Sequence, residues 1–240
     1  MLFFYIRHGD PIYDPDMLTP LGHEQARAVA KRFAQYGLDR IYASTSTRAM
    51  ETATPTCQLL KKEMTVLDWA NEAVAWQEFT VLLEDGRRTW GFQHRPTEML
   101  FRSKEMRDMG FAWHTHPALP ESFARGSERV AAAVDEYFLS LGYRHDRENA
   151  RYEIVKPSNE RVALFAHQGF GLAFLASVMD VPYPEFCTRF DMGHTGVSVI
   201  DFGDGEEGYS YPKLLQLAND GHLYREGILT GYHNLGRLRF

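Results

Sequence analysis

The chain has 240 residues, 44% of them hydrophobic and 24% charged, an ordinary globular balance with enough length for one sizeable core. A formal net charge of -6 and a pI near 5.9 exclude the basic footprint that nucleic-acid or anionic-membrane binding requires, so any anion must be captured by a local cluster of cations. Cys57 and Cys187 lie far apart with no CxxC spacing, which argues for reduced structural thiols rather than a disulfide framework or a zinc knuckle.

The apolar run of residues 2–6 reads as a buried strand that ends at Arg7-His8-Gly9. It is too short for a signal-peptide core or a membrane span, and a cytoplasmic protein is the expectation. Thr19-Pro20 is an N-cap followed by proline at the first helical position, and Ala26, Val29, Ala30 and Phe33 recur at helical spacing until Gly37. Arg40 to Ala43 predicts a second strand, handed by the Ser/Thr cluster 44–47 to a helix over Arg48 to Lys62, where Pro55 is a candidate kink. Thr65 to Trp69 predicts a third strand. Ser127 to Leu141 predicts a helix with Val130, Val134, Tyr137 and Phe138 on one side.

Val162 to Ala166 is a strong strand ending at His167, followed by a mostly apolar helix from Gly169 to Met179. Val197 to Phe202 and Lys213 to Leu217 flank Gly203-Asp204-Gly205, a hairpin signal. Strands alternating with helices predict a three-layer α/β/α fold around a mostly parallel sheet. Residues 79–126 break that rhythm. Rich in Trp, Arg, His, Met and Pro without a clear strand, they read as a helical or loop insertion within one domain spanning 1–240. Trp90, Phe92, His94, Arg95 and Trp113 suit a lid over a substrate or the packing of an aromatic lobe. The pair His114 and His116 has no acidic or cysteine companion at a recognised metal spacing, and no metal or other cofactor is expected.

Open α/β sheets place their chemistry at the carboxyl ends of the strands. There Arg7, His8, Arg48 and His167 would converge, two forked guanidiniums and two imidazoles around a tetrahedral dianion, and phosphate is the matching ligand. A neutral imidazole attacks phosphorus, and neighbouring arginines keep it neutral. An alkoxide leaving group needs a proton from a carboxylic acid; Glu72 is the first candidate and Glu78 the reserve.

Arg7-His8-Gly9, Leu18 to Ala26, Ser46 to Ala53 and Ala166-His167-Gln168-Gly169 occur in an order that resembles the histidine phosphatase superfamily, in its phosphoglycerate-mutase-like branch. The resemblance implies His8 as phosphorylated nucleophile, Arg7, Arg48 and His167 as the phosphate pocket, Glu72 as proton donor, and a metal-free reaction. Three departures stand beside it. Asp10-Pro11 and Asp14 replace the Glu-Thr and asparagine frequent in the family, leaving Asp14 to face solvent or a cationic or hydroxylated substrate group. Gln168 stands where glycine is frequent, and no Gly-Asp-Trp-Glu-Gly segment follows Glu72. Thr45 is either a pocket hydroxyl or a helix-capping residue.

The expected function is hydrolysis of a small phosphorylated metabolite through a phosphohistidine, with no nucleic-acid or membrane partner and an open oligomeric state. The alternatives are a phosphoglycerate-type mutase, which must shield its phosphoenzyme from water, and a catalytically silent phospholigand-binding module.

Overall fold

The structure, a computed structural model, describes residues 1–203 and 205–231. Its central sheet has six strands: β1 (Leu2–Arg7), β2 (Arg40–Ser44), β3 (Met64–Leu67), β4 (Arg161–Ala166), β5 (Val197–Asp201) and β6 (Lys213–Asn219). Their spatial order is β6-β5-β1-β4-β2-β3. Pairings β1/β4, β4/β2 and β2/β3 are parallel, while β5 runs antiparallel to both β1 and β6. The helices are α1 (Pro20–Tyr36), α2 (Thr47–Leu60), α3 (Glu72–Phe79), α4 (Arg95–Phe101), α5 (Lys104–Met109), α6 (Glu121–Ser140), α7 (Gln168–Val178), α8 (Tyr183–Cys187) and α9 (Gly221–Arg225). Among the described residues, no helix is long and apolar enough to cross a membrane.

Side-chain alternation along the strands builds two cores. Phe4 and Ile6 of β1, with Ala163, Phe165, Ile41 and Ala43, pack with Val29 and Phe33 of α1 and Ala53 and Cys57 of α2. Phe3 and Tyr5, with Val162 and Leu164, meet Val134 and Phe138 of α6 and Phe170 and Phe174 of α7. The sheet is therefore covered on both faces, the three-layer α/β/α arrangement expected from the sequence. Both cysteines are buried free thiols.

Several boundaries move. Helix α2 runs unbroken past Pro55, a position that cannot donate to the carbonyl one turn back. The third strand is Met64–Leu67, and Asp68–Ala70 turn into a 3-10 helix. Helix α6 begins at Glu121, just after Pro120, because Phe123 and Gly126 are buried against the preceding lobe. Strands β5 and β6 pair antiparallel as expected, but Tyr209–Ser210, between them, joins a separate sheet with Arg151–Ile154 and Tyr143–Asp146. Asp204 of the expected turn lies outside the described residues.

Within 79–126 a short hairpin pairs Thr80–Leu82 with Arg88–Trp90; three-residue strands are too brief to show alternation in sequence. Five aromatic residues of this segment, Phe79, Trp90, Phe101, Trp113 and Phe123, share one buried cluster with Phe3 and Tyr5 of β1, while Phe111 is exposed. The segment thus packs onto the main core.

His145, on the strand Tyr143–Asp146, places Nδ1 2.9 Å from Asp135 Oδ1 and Nε2 2.9 Å from Asp180 Oδ2. Burial pulls its pKa down, but the hydrogen bonds to the two carboxylates outweigh it and leave it raised. A raised folded value means a stabilising contribution fully present below the unfolded value of about 6.5 and lost as pH rises through the folded one. The gap in unfolding free energy between the protein and its His145→Asn variant should accordingly shrink between pH 5.5 and pH 9; urea titrations at the two values check it.

Candidate active site

The loop after β1 is shaped by backbone contact. A Cβ on Gly22 would stand 2.2 Å from the Asp10 carbonyl oxygen, and one on Gly9 2.7 Å from that of Gly22, so both motif glycines are required by close approach of two backbone segments. Thr19 Oγ1 caps α1 by accepting from Gly22 N–H at 3.0 Å and donates to Asp10 Oδ2 at 2.7 Å. Gln25 Oε1 accepts from Asp10 N–H at 2.8 Å, and Thr52 Oγ1 from Gly9 N–H at 3.0 Å. Residues 19–25 and 52 therefore fix the backbone on which His8 stands. Gly22→Ala should cost roughly 1–3 kcal/mol of stability through overpacking, read by urea unfolding.

His8 is 1% exposed. Its Nδ1 lies 2.7 Å from the Gly9 carbonyl oxygen; a carbonyl only accepts, so Nδ1 carries the proton and, in the neutral ring, Nε2 keeps its lone pair. Burial, then His167, Arg7 and Arg48, hold its pKa well below the ordinary imidazole value. Burial, Arg48 and Arg7 do the same to His167. If the neutral ring of His8 is the reactive form, a depressed pKa keeps it competent as pH falls past about 6.5. The acid limb of kcat/KM, measured over pH 4–8, should therefore lie below that value.

Arg48, at the start of α2, donates through Nη1 to Asp16 Oδ1 (2.7 Å) and through Nη2 to His167 Nδ1 (3.1 Å) and Glu72 Oε2 (3.2 Å). Since His167 Nδ1 accepts, its Nε2–H faces Ser44 Oγ at 2.8 Å and Ser46 Oγ at 3.2 Å. Arg7 donates through Nη1 to the Met192 carbonyl (2.6 Å) and through Nη2 to His194 Nε2 (2.9 Å). The Nε–H groups of Arg7 and Arg48 are buried without an acceptor. Two orphaned cationic donors in one place are an unusual cost that anion oxygens would relieve.

Donor atoms of His8, Glu72 and His167 lie within 4.8 Å of one another, the inventory of a metal site. Arg48 argues against that use. Its Nη2 occupies the His167 Nδ1 lone pair and contacts the Glu72 carboxylate, and with Arg7 it adds positive charge. Electrostatically the cluster suits an anion. Glu72 begins α3; its Oε1 accepts from Gly169 N–H, at 2.8 Å, at the start of α7. Its carboxylate thus sits on donors that a phosphoryl group would also use, and the pocket is already assembled around a negative charge.

Above this cluster lies a cleft of about 710 Å³ lined by Arg7, Arg48, Glu72, Trp76, Trp90, Gln168 and neighbours. His8 and His167 are buried and do not line it; Arg48, which does, reaches His167 Nδ1 at 3.1 Å. Thr45 lines the cleft and accepts from Asn71 Nδ2 at 2.7 Å. Gln168 Nε2 donates to Asp191 Oδ1. Asp14 is elsewhere: it is exposed in the turn between Pro11–Tyr13 and Asp16–Leu18, and the carboxylate reaching Arg48 is that of Asp16. Glu78 is bound by Arg129 through two hydrogen bonds of 2.7 and 2.6 Å. His116 Nδ1 accepts from Ala118 N–H at 3.1 Å. Sequence reasoning missed Asp16, Ser44, Ser46 and His194. The two serines flank a strand end and could have been read from it, whereas His194 comes from a loop without periodicity.

Fold and motif order match an α/β protein of the histidine phosphatase type. The family model described as the histidine phosphatase superfamily (branch 1) matches residues 5–211, and the chain belongs to that superfamily. No match is found among curated proteins. Similar solved structures include a phosphoserine phosphatase variant from Entamoeba histolytica in complex with phosphoserine, at 18% identity and a TM-score of 0.58 over 92% of this chain and 98% of that one. A mycobacterial glucosyl-3-phosphoglycerate phosphatase complexed with VO3 aligns at 19% identity and a TM-score of 0.57, over 91% and 99% of the two chains. Another, titled mycobacterial hydrolase 1, reaches 20% identity and a TM-score of 0.57 over 91% and 98%. At these identities the likeness is one of fold.

Proposed function

We propose that the chain is a metal-independent phosphomonoester hydrolase working through a phosphohistidine at Nε2 of His8. The observation that carries this reading is the Nδ1–H to Gly9 carbonyl bond, which aims the lone pair of a neutral imidazole away from the backbone and into the arginine cluster. An incoming phosphoryl group takes the Arg7, Arg48 and Gly169 donors, displacing the Glu72 carboxylate from Arg48 and from Gly169 N–H, while His167 Nδ1 holds Arg48 in place. Nε2 then attacks phosphorus as the P–O ester bond breaks, and the arginines balance the charge spread over the equatorial oxygens.

Glu72, displaced but still beside the pocket, takes up the proton of a monoanionic phosphoester and passes it to the departing alkoxide. As a carboxylate it next takes a proton from water, whose oxygen attacks phosphorus while the P–N bond breaks. Inorganic phosphate leaves and His8 is regenerated. A cleft of about 710 Å³ with polar walls at Thr45, Asn71 and Gln93 admits that water, which favours hydrolysis over the mutase alternative. The small-metabolite substrate class and a cytoplasmic setting belong to the same reading, and the lobe at 79–126 serves as its substrate-facing cap.

The test is a rapid acid-free quench with radiolabelled phosphomonoester. The expected result is protein-bound label that is stable to base and labile to acid, together with release of inorganic phosphate. Isomer formation from 3-phosphoglycerate without phosphate release would instead establish the mutase. Binding of phosphate without turnover of any ester would establish the silent module.

A further inference from the structure

Resting on the hydrolase reading, we infer that the cleft selects esters whose leaving group is an uncharged ring, a sugar or aryl alcohol, and discriminates against leaving groups that carry a carboxylate. The argument is a charge inventory. Among the described residues, the cations lining the cleft are Arg7 and Arg48, and the acids are Asp16 and Glu72. Both cations face the phosphoryl end: Arg7 is held by Met192 and His194, Arg48 by Asp16, Glu72 and His167.

Beyond the phosphoryl group the walls offer Tyr13, Asn71, Trp76, Trp90 and Gln93 but no positive group. A carboxylate on the leaving group would lose water without gaining a counter-charge and would share the cleft with Asp16, at 31% side-chain exposure the more open of the two acids. A neutral ring meets a better match. Trp76 and Trp90 stand edge to face with centroids 5.0 Å apart, a rigid apolar corner, while the Asn71 and Gln93 amides and Thr45 hydroxyl supply donors and acceptors for hydroxyl groups. Trp90 is fixed from behind: a Cβ on Gly169 would stand 2.3 Å from its ring, so the residue after Gln168 leaves room for the indole.

Matched substrates test the charge argument and the ring argument separately. Glycerol 3-phosphate should exceed 3-phosphoglycerate in kcat/KM by at least about tenfold, and glucose 6-phosphate should exceed glycerol 3-phosphate. Gln93→Arg, at an exposed lining position, should raise 3-phosphoglycerate relative to glycerol 3-phosphate, and Trp76→Ala should narrow the ring preference. Equal or better turnover of 3-phosphoglycerate by the unaltered protein overturns the charge argument, and absence of ring preference overturns the other, in both cases with the hydrolase reading intact. Failure to release phosphate from every ester, 4-nitrophenyl phosphate included, overturns both the inference and the reading beneath it.

Discussion

Replacing His8 with alanine should lower kcat by a factor on the order of 10⁴ or more, the usual consequence of deleting the nucleophile of a covalent mechanism. Arg7 and Arg48 are fixed by Met192, His194, Asp16, Glu72 and His167 rather than by the His8 ring. The variant should therefore keep its affinity for inorganic phosphate within a few-fold, and no acid-labile label should remain on it. Steady-state kinetics, phosphate titration and the quench experiment read these three quantities on one preparation. Retention of labelled phosphoprotein in the variant would move the nucleophile elsewhere, and His167, whose Nδ1 is already engaged by Arg48, would have to be freed for that role.

Arg48→Ala should reduce kcat/KM by about 10³, the scale for removing a charged donor aimed at a developing oxyanion. One side chain here serves three elements. It ties the start of α2 to Asp16 at the start of the short strand Asp16–Leu18, to Glu72 at the start of α3 and to His167 at the end of β4. Truncation removes one donor from each of two carboxylates, which keep Gly169 N–H and Thr47 N–H, and leaves the His167 Nδ1 lone pair without its donor, so a stability loss of roughly 1–3 kcal/mol should accompany the kinetic loss. Arg48→Lys supplies a point charge where a fork is needed. It should recover less than half of the lost transition-state free energy, and urea unfolding alongside kinetics separates misfolding from lost catalysis. Full recovery by lysine would mean that charge alone, without bidentate geometry, is what the pocket uses.

The sequence exposes some of this arrangement because its causes are local. Continuous apolar runs at 2–6 and 162–166, the Thr19-Pro20 cap and the α1 periodicity all report short-range physics, and the structure places their elements within a residue or two. The motif glycines are legible for a different reason: Gly9 and Gly22 answer to one backbone crossing, and a Cβ is excluded on either side of it. The start of α6 was hidden because burial of Phe123 and Gly126 against Phe79 and neighbouring side chains, rather than any capping signal, extends the helix back to Glu121. The hairpin at 80–90 escaped for want of length.

By itself the sequence determined an α/β chain whose strand ends carry Arg7, His8 and His167 and whose second helix opens on Arg48, since these follow from patterning and from the chemistry of each residue type. Only the tertiary structure decided that Asp16 rather than Asp14 meets Arg48, that Glu78 belongs to Arg129, that Glu72 rests on the donors of Arg48 and Gly169, and that Trp76 and Trp90 form one corner of the cleft. These pairings join residues from different elements, and no local spacing encodes the distance between side chains that meet only when two layers pack against one sheet.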